Sequence, residues 1–420
     1  MDVVVARCAG LDVGKRELVA CVRVPADGAR AGTVIGSRRQ VIKKFATFTG
    51  SLRRLAGWLA GHGVTEVVME ATGQYWKPVW YALEDHGGFE LKLVNAQHVR
   101  FLPGRKTDVA DAAWLAELLE HGLLRGSFVP PAPIRELRDL TRYRKKLIQA
   151  HTAESQRVSK TLEDAGIKLD SVASDVLGVS GRAMLGALLA GERDPAVLAE
   201  LAKGRLRAKI PILVEALTGR FGAHHAVLLR LSLDHLQHLE QAVATLDEQI
   251  DAVITPFAAA RDHLDSIPGV GKRAAENLIA EIGVDMAVFP TAAHLASWAC
   301  MCPGSNITGG KRRSGKTRPG SPWLRDALVE AAWGASHTKD TDLGAQFWRL
   351  ARRIGKKKAA VAVGHSILTA AWWMITNDVD YHDLGSDHYT RHHDNTDRRR
   401  DRALRDLHAL GYRVTLDPAA

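Results

Sequence analysis

The chain opens with apolar residues arranged as strands arrange them. An apolar run through Leu11-Asp12-Val13 and a second from Leu18 to Val24 flank Gly14 and Lys15, which predicts a hairpin with Asp12 near its turn. A third run, Thr33 to Val41, predicts another strand. Behind it Leu52, Leu55, Trp58 and Leu59 recur at helical spacing within Phe48 to Leu59, with Thr47 and Thr49 as candidate caps. Val64 to Glu70 reads as a short strand closing on a carboxylate, Tyr75 to Asp85 as helix, Phe89 to Val94 as strand, and Val109 to His121 as a helix with an apolar face. That order predicts an α/β domain, a mixed sheet covered by helices.

Pro130, Pro131 and Pro133 interrupt the pattern and mark a boundary. From Ile134 to about Ala260 the strand signal vanishes and the chain reads as helical. Its clearest period lies in Leu229, Leu236, Val243 and Ile250, with Leu239, Leu246 and Val253 offset by three. These are the a and d positions of a long helix that must find a partner, in an intramolecular hairpin or in a subunit-pairing coiled coil. A second compact region begins at Leu264, and the tail from Tyr381 to Ala420, crowded with His, Asp and Arg, is expected to be loosely ordered. The division expected is 1–128, 129–260, 261–380 and 381–420.

Composition adds constraints. The 46% hydrophobic and 25% charged fractions are those of a globular protein. With neither a bilayer-spanning apolar run nor a signal peptide in view, the expected location is the cytoplasm, with no membrane partner. The 57 Lys and Arg against 47 Asp and Glu give a net charge of +10, which favours a polyanionic partner. Cys8, Cys21, Cys300 and Cys302 lack the C-x-x-C spacing of structural zinc and read as reduced thiols.

Four carboxylates stand where an α/β sheet could gather them: Asp12, Glu70, Asp108 and Asp111. A spacing of three puts Asp108 and Asp111 on one helix face, able to share hard cations. Asp in a first helical turn is also common because the dipole stabilises anions there. Asp12 and Glu70, however, each close an apolar run, where an ionised carboxylate is costly without a partner or a metal. Such a set can hold two magnesium ions at a phosphodiester.

Two further stretches point to nucleic acid. Leu264 to Ile279 contains Pro268-Gly269-Val270-Gly271-Lys272 and resembles a helix-hairpin-helix, in which Gly269 and Gly271 let backbone amides approach a phosphate and Lys272 adds charge. Pro303 to Arg325 carries Lys311, Arg312, Arg313, Lys316, Arg318 and Arg325 and no acid, and reads as a flexible cationic loop suited to hold a phosphate backbone against a hydroxyl. A further cluster, Arg349, Arg352, Arg353 and Lys356 to Lys358, precedes an apolar helix from Ala359 to Met374 and is expected to contact nucleic acid as well.

Together, Leu11-Asp12-Val13-Gly14-Lys15, Val67-Val68-Met69-Glu70-Ala71-Thr72-Gly73, Lys106-Thr107-Asp108-Val109-Ala110-Asp111, Pro268-Gly269-Val270-Gly271 and the Pro303-Gly304 loop ending in Trp323-Leu324-Arg325 resemble the DEDD transposases of bacterial insertion sequences, the IS110 group that includes the Piv-type invertases. The resemblance implies an α/β N-terminal ribonuclease H-like (RuvC-like) domain carrying the four acids with Mg2+, for which Mn2+ substitutes. It implies an α-helical coiled-coil middle and a mostly α C-terminal transposase domain that supplies a nucleophilic serine. Lys15 and Lys106, beside the acids, are candidate phosphate contacts. Double-stranded DNA at element ends and target is the expected partner, with an element-encoded structured RNA in some members and a dimer or tetramer as the working unit.

The family's serine aligns with Thr308, a more crowded nucleophile; Ser314 and Ser305 are the alternatives. A junction-resolving nuclease with water as nucleophile, or a non-catalytic nucleic-acid-binding protein, would carry many of the same features. A sugar kinase or ATPase is disfavoured, since no G-x-x-x-x-G-K-[ST] loop occurs.

Overall fold

The computed structural model describes residues 2–26, 38–71, 73–95, 108–304, 306–389 and 396–415, with the backbone alone at 108–110, 306, 312–314, 396–399 and 402. It divides into two compact units, Met1–Val129 and Pro130–Ala420.

The first unit is built on a five-stranded mixed sheet. Strands β1 (Cys8–Val13), β2 (Glu17–Pro25) and β3 (Arg38–Ala46) form an antiparallel meander. After helix α1 (Thr49–Gly61) comes β4 (Glu66–Glu70), parallel to β1; α2 (Trp76–His86) then leads to β5 (Glu90–Val94), parallel to β4. The order is β3-β2-β1-β4-β5, so β1 lies at the centre.

The pleat sends alternate residues to opposite faces. Ala9, Leu11 and Val13 join a core with Leu52, Leu55 and Leu59 of α1 and Val79 and Leu83 of α2. The opposite face, with Cys8, Val19, Cys21 and Val68, is covered by α3 (Asp108–Glu120) through Ala112, Leu115, Ala116 and Leu119. Two differences from the sequence reading stand out. β3 runs on to Ala46, where the predicted strand stopped at Val41; Thr33 to Ser37 lie outside the described residues. Neither Thr47 nor Thr49 caps α1, whose N-cap is Phe48 with no side-chain bond.

The second unit opens with two long helices, α4 (Ala132–Asp164) and, after the short α5 (Leu169–Val172), α6 (Val179–Leu189), α7 (Pro195–Glu200) and α8 (Ile210–Leu217), α9 (Ala223–Ile254). Arg144 pairs with Asp247 at 2.8 Å, His151 with Glu240 at 3.2 Å and His225 with Asp164 at 2.9 Å. One partner's number rises as the other's falls, so the helices are antiparallel and the period read in α9 is spent within the chain. Leu229, Leu236 and Ile250 are buried on this face, while Val243 and Leu246 are half-buried.

Beyond them come α10 (Ala258–Asp265), α11 (Lys272–Ile282), α12 (Ala292–Trp298), the hairpin β6 (Asn306–Thr308) and β7 (Lys311–Ser314), α13 (Pro322–His337), α14 (Asp342–Ile354), α15 (Lys356–Asn377) and α16 (Thr396–Ala409). Contrary to the sequence reading, α15 is long and apolar enough to cross a membrane. In this fold it is the central helix of its region, burying Ala359, Ala360, Val363, Ile367, Leu368 and Ala371 while α12, α13 and α14 pack around it.

Residues 378–381, just after α15, are tied down: His263 is held between Asp380 at 2.7 Å and Asp378 at 3.0 Å, and the Tyr381 amide donates to Ser266 Oγ at 2.9 Å. Arg349 stacks 3.5 Å from the ring centroid of Tyr389.

Candidate active site

Asp12 and Glu70 stand on neighbouring parallel strands, each one residue beyond the last matched pair Leu11 and Met69. Gly10 and Val68, two residues upstream of them, face α3, as does Cys8 a further two residues back, so the period of two turns Asp12 and Glu70 to that face as well. Val19, opposite Asp12 on β2, packs on Ala112 and Ala116 and confirms the side. Asp108 opens α3 and Asp111 immediately precedes the buried Ala112. All four positions therefore gather where the first turn of α3 meets the ends of β1 and β4. Asp12, Glu70 and Asp111 are half-buried; the Asp108 side chain lies outside the described residues.

The approach of α3 depends on two features that the sequence reading missed. Gly10 faces the helix backbone directly: a Cβ there would stand 2.5 Å from the Ala116 amide nitrogen and closer still to the Ala112 carbonyl oxygen. A glycine inside a strand is the available signal for such contact. At the far end of α3, Glu120 is 1% exposed and receives Arg23 Nε at 2.7 Å and the Arg38 guanidinium, while its carbonyl accepts from Val4 and Val5. Nothing in the sequence pairs those three residues. Burial pushes the neighbouring thiols up, Cys8 to about 12 and Cys21 to about 11, so both are inert.

In the second unit, the stretch read as a flexible loop is a hairpin. Pro303 bridges Thr317, and Thr308 pairs with Lys311 across Gly309 and Gly310, which have φ of 56° and 75°. Two successive positive φ angles make the two-residue turn that fits strand twist, and they put Thr308 exposed beside the tip. Of the alternatives, Ser314 lies on β7 with only its backbone described, and Ser305 lies outside the described residues.

The cationic candidates separate by what they touch. Lys15 and Lys311 are exposed, as is Lys316; Arg312 and Arg313 are described by backbone alone and Lys106 lies outside the described residues. Arg318 reaches Ser297 at 3.4 Å. Arg325 is turned inward, donating to the carbonyls of Arg318 at 2.8 Å and Cys300 at 3.1 Å, so it closes the base of the hairpin. Trp323, at the start of α13, lies under Arg142 and Lys146 of α4, and Arg142 grips the buried Glu281 that also receives Ser321 Oγ.

Gly269 and Gly271 lie between α10 and α11, and they differ. Gly269 has φ of 87°, and a Cβ on it would stand 2.8 Å from Ala335 Cα and closer to Ala335 N and Ala331 O of α13. Gly271, the N-cap of α11, has open space where its Cβ would be. Lys272 is paired with Asp251 at 2.6 Å.

Asp164, His224 and His225 also bring potential ligand atoms together. His225 Nδ1 accepts from the Gly222 amide at 3.1 Å, so its proton sits on Nε2, 2.9 Å from Asp164. Both ring nitrogens are thereby occupied, Nδ1 in capping α9 and Nε2 in tying it to the end of α4.

Acidic positions at the ends of the interior strands β1 and β4, beneath α3, are thus followed in the chain by a helical unit that carries a cationic hairpin. A transposase family model carrying the DEDD and IS110 designations matches residues 9–167, and the model of the transposase IS116/IS110/IS902 family matches residues 261–348. The chain belongs to the IS110 family of DEDD transposases. No match is found among curated proteins. Membership implies an enzyme that cleaves and transfers DNA and generally uses a divalent metal.

Proposed function

We propose that the protein cuts and rejoins DNA strands to move an insertion sequence, with Asp12, Glu70, Asp108 and Asp111 of a ribonuclease H-like unit as the metal site and the Thr308 hydroxyl as nucleophile. The observation that carries this reading is the gathering of all four acidic positions where α3 meets the ends of β1 and β4. Carboxylate oxygens suit a hard cation such as magnesium, with manganese as substitute. Bound there, the metal supplies charge that polarises the scissile phosphate and lowers the pKa of the attacking hydroxyl.

In the first step Thr308 Oγ would bond to phosphorus, the bond from phosphorus to a deoxyribose oxygen would break, and the threonine's proton would go to that leaving oxygen. Attack by a deoxyribose hydroxyl on the threonine ester reverses the exchange and rejoins DNA. Lys311, across the turn from Thr308, together with Arg312, Arg313, Lys316 and Arg318, holds the phosphate backbone.

α10, the Gly269 to Gly271 turn and α11 act as the helix-hairpin-helix, contributing backbone amides to a phosphate. The division into 1–128, 129–260, 261–380 and 381–420 assigns the acids, the coiled-coil linker, the nucleophile region and a charged tail. A dimer or tetramer as the working unit, guidance by an element-encoded RNA of the kind some members use, and action at the nucleoid are part of the same proposal.

The test incubates the full chain with element-junction and target DNA in magnesium, with and without the element's RNA. Strand exchange is expected, lost in Asp108→Ala and Thr308→Ala and retained in Thr308→Ser. Activity surviving Thr308→Ala moves the nucleophile elsewhere. Cleavage without rejoining, and with no trapped adduct, identifies a junction-resolving nuclease.

A further inference from the structure

Apart from the hairpin, two clusters of basic residues in the second unit have opposite electrostatics. Around the α10–α11 turn every named cation has a carboxylate of its own. Lys272 pairs with Asp251 at 2.6 Å, Arg273 with Asp247 at 2.6 Å, Arg144 with Glu276 at 2.6 Å, and Lys145 with Glu330 at 3.1 Å. A groove of about 700 Å³ runs through these residues, yet its charge is already neutralised. Release of counterions, the source of electrostatic affinity for nucleic acid, requires cations that are not so compensated.

The corner between α14 and α15 is the reverse. Arg352 and Arg353 close α14, and Lys356, Lys357 and Lys358 open α15, with Gly355 between them at φ of 83°. All five are exposed, and among the described residues none has a carboxylate partner. The turn at Gly355 brings two helix ends together, so five charges share one corner. Trp348, 42% exposed, lies beside them with Lys356 Nζ 5.4 Å from its ring centroid.

The arrangement is unfavourable for α15: three lysines in its first turn oppose its dipole and repel one another, whereas Arg352 and Arg353 in the last turn of α14 suit the dipole of that helix. Few apolar residues are interleaved with the cations, as a membrane-binding face would need.

We propose that the α14–α15 corner is a major electrostatic contact of this protein with the phosphodiester backbone of duplex DNA, beside the hairpin cations, and that the paired side chains of Lys272 and Arg273 at the α10–α11 turn contribute little charge to it. The inference rests on the function proposed above and names where the DNA backbone is held. The test measures duplex DNA binding by the full chain as a function of salt. It compares wild type with Arg352→Gln/Arg353→Gln/Lys356→Gln/Lys357→Gln/Lys358→Gln and with Lys272→Gln/Arg273→Gln.

Each phosphate that the protein no longer neutralises lowers the slope of log K against log salt by about 0.9, so the fivefold variant is expected to drop by about 3 to 4.5 in slope and the double variant by less than about 1. Thermal unfolding checks the fold: the fivefold variant should melt close to the wild-type temperature, because it removes three lysines that oppose the dipole of α15 together with two arginines that suit the dipole of α14. Wild-type binding that the fivefold variant retains with the same slope overturns the inference, whether or not strand exchange occurs. A loss confined to structured RNA overturns the assignment to DNA. A reduced slope with no strand cleavage by wild type leaves the inference standing and sinks the catalytic reading.

Discussion

Gly10 of β1 lies directly against the Ala112 carbonyl of α3, with no room for a Cβ between them. The strand that carries Asp12 and the helix that carries Asp108 and Asp111 thus meet backbone to backbone, and their separation is fixed by the absence of a side chain. Gly10→Ala must push α3 away or strain it, and overpacking of this kind costs about 1–3 kcal/mol. The expected result is a lower melting temperature together with a loss of strand cleavage larger than the change in folded fraction explains. Unchanged cleavage at full folding would mean that the helix position is not what sets the site.

The other end of α3 is held by charge. Glu120→Gln leaves Arg23 and Arg38, each less than a fifth exposed, without their buried partner. Removing one side of such a buried pair costs about 3–5 kcal/mol where burial is complete, and the partial exposure of the arginines brings the expectation to about 2–3 kcal/mol in denaturant unfolding. Glu120→Leu/Arg23→Leu/Arg38→Gln, which removes the charges together, should recover part of the loss.

A pH dependence follows from His263. Hydrogen bonding to Asp380 is the leading cause that raises its pKa above the usual 6.5, with Asp378 adding to it against the effect of burial. The group is more basic folded than unfolded, so its stabilisation is present in full below about pH 6.5 and fades as pH rises through the folded value. Denaturant midpoints measured from pH 6 to pH 9 should fall for wild type. The fall should be shallower for His263→Gln, and an equal slope in both would remove His263 as the cause.

How much of this was legible in the sequence depends on what each feature rests on. Strand and helix periods are local, so the order from β1 to α3 and the positions of Asp12, Glu70, Asp108 and Asp111 could be read directly. The ends were less legible: β3 continues through Ile42 and Phe45 because it pairs with β2 along its length, including Cys21 with Ile42 and Leu18 with Phe45. Glu120 looked like one more acid on a helix, because its arginines lie 97 and 82 residues away in the chain. The heptads of α9 announced a partner without naming it, since α4 supplies that face only after the chain has passed through α5 to α8. Gly309 and Gly310 read as looseness, and the pairing of Thr308 with Lys311 gave them the opposite meaning, a tight turn.

The two glycines of the α10–α11 turn separate packing from recognition. Gly269→Ala puts a methyl group into the α13 backbone at a left-handed φ, and both effects destabilise; a cooperative loss of stability is expected, with DNA binding falling only as the folded fraction falls. Gly271→Ala meets nothing within 4 Å and adopts an extended φ of −97° that alanine tolerates. Its methyl group would occupy the space through which a phosphate reaches the first amides of α11, so the melting temperature should move by no more than a degree or two while binding to a short DNA duplex weakens several-fold. Binding unchanged in Gly271→Ala would leave this turn as an internal joint between α10, α11 and α13, and its resemblance to a DNA-binding hairpin would be one of shape alone.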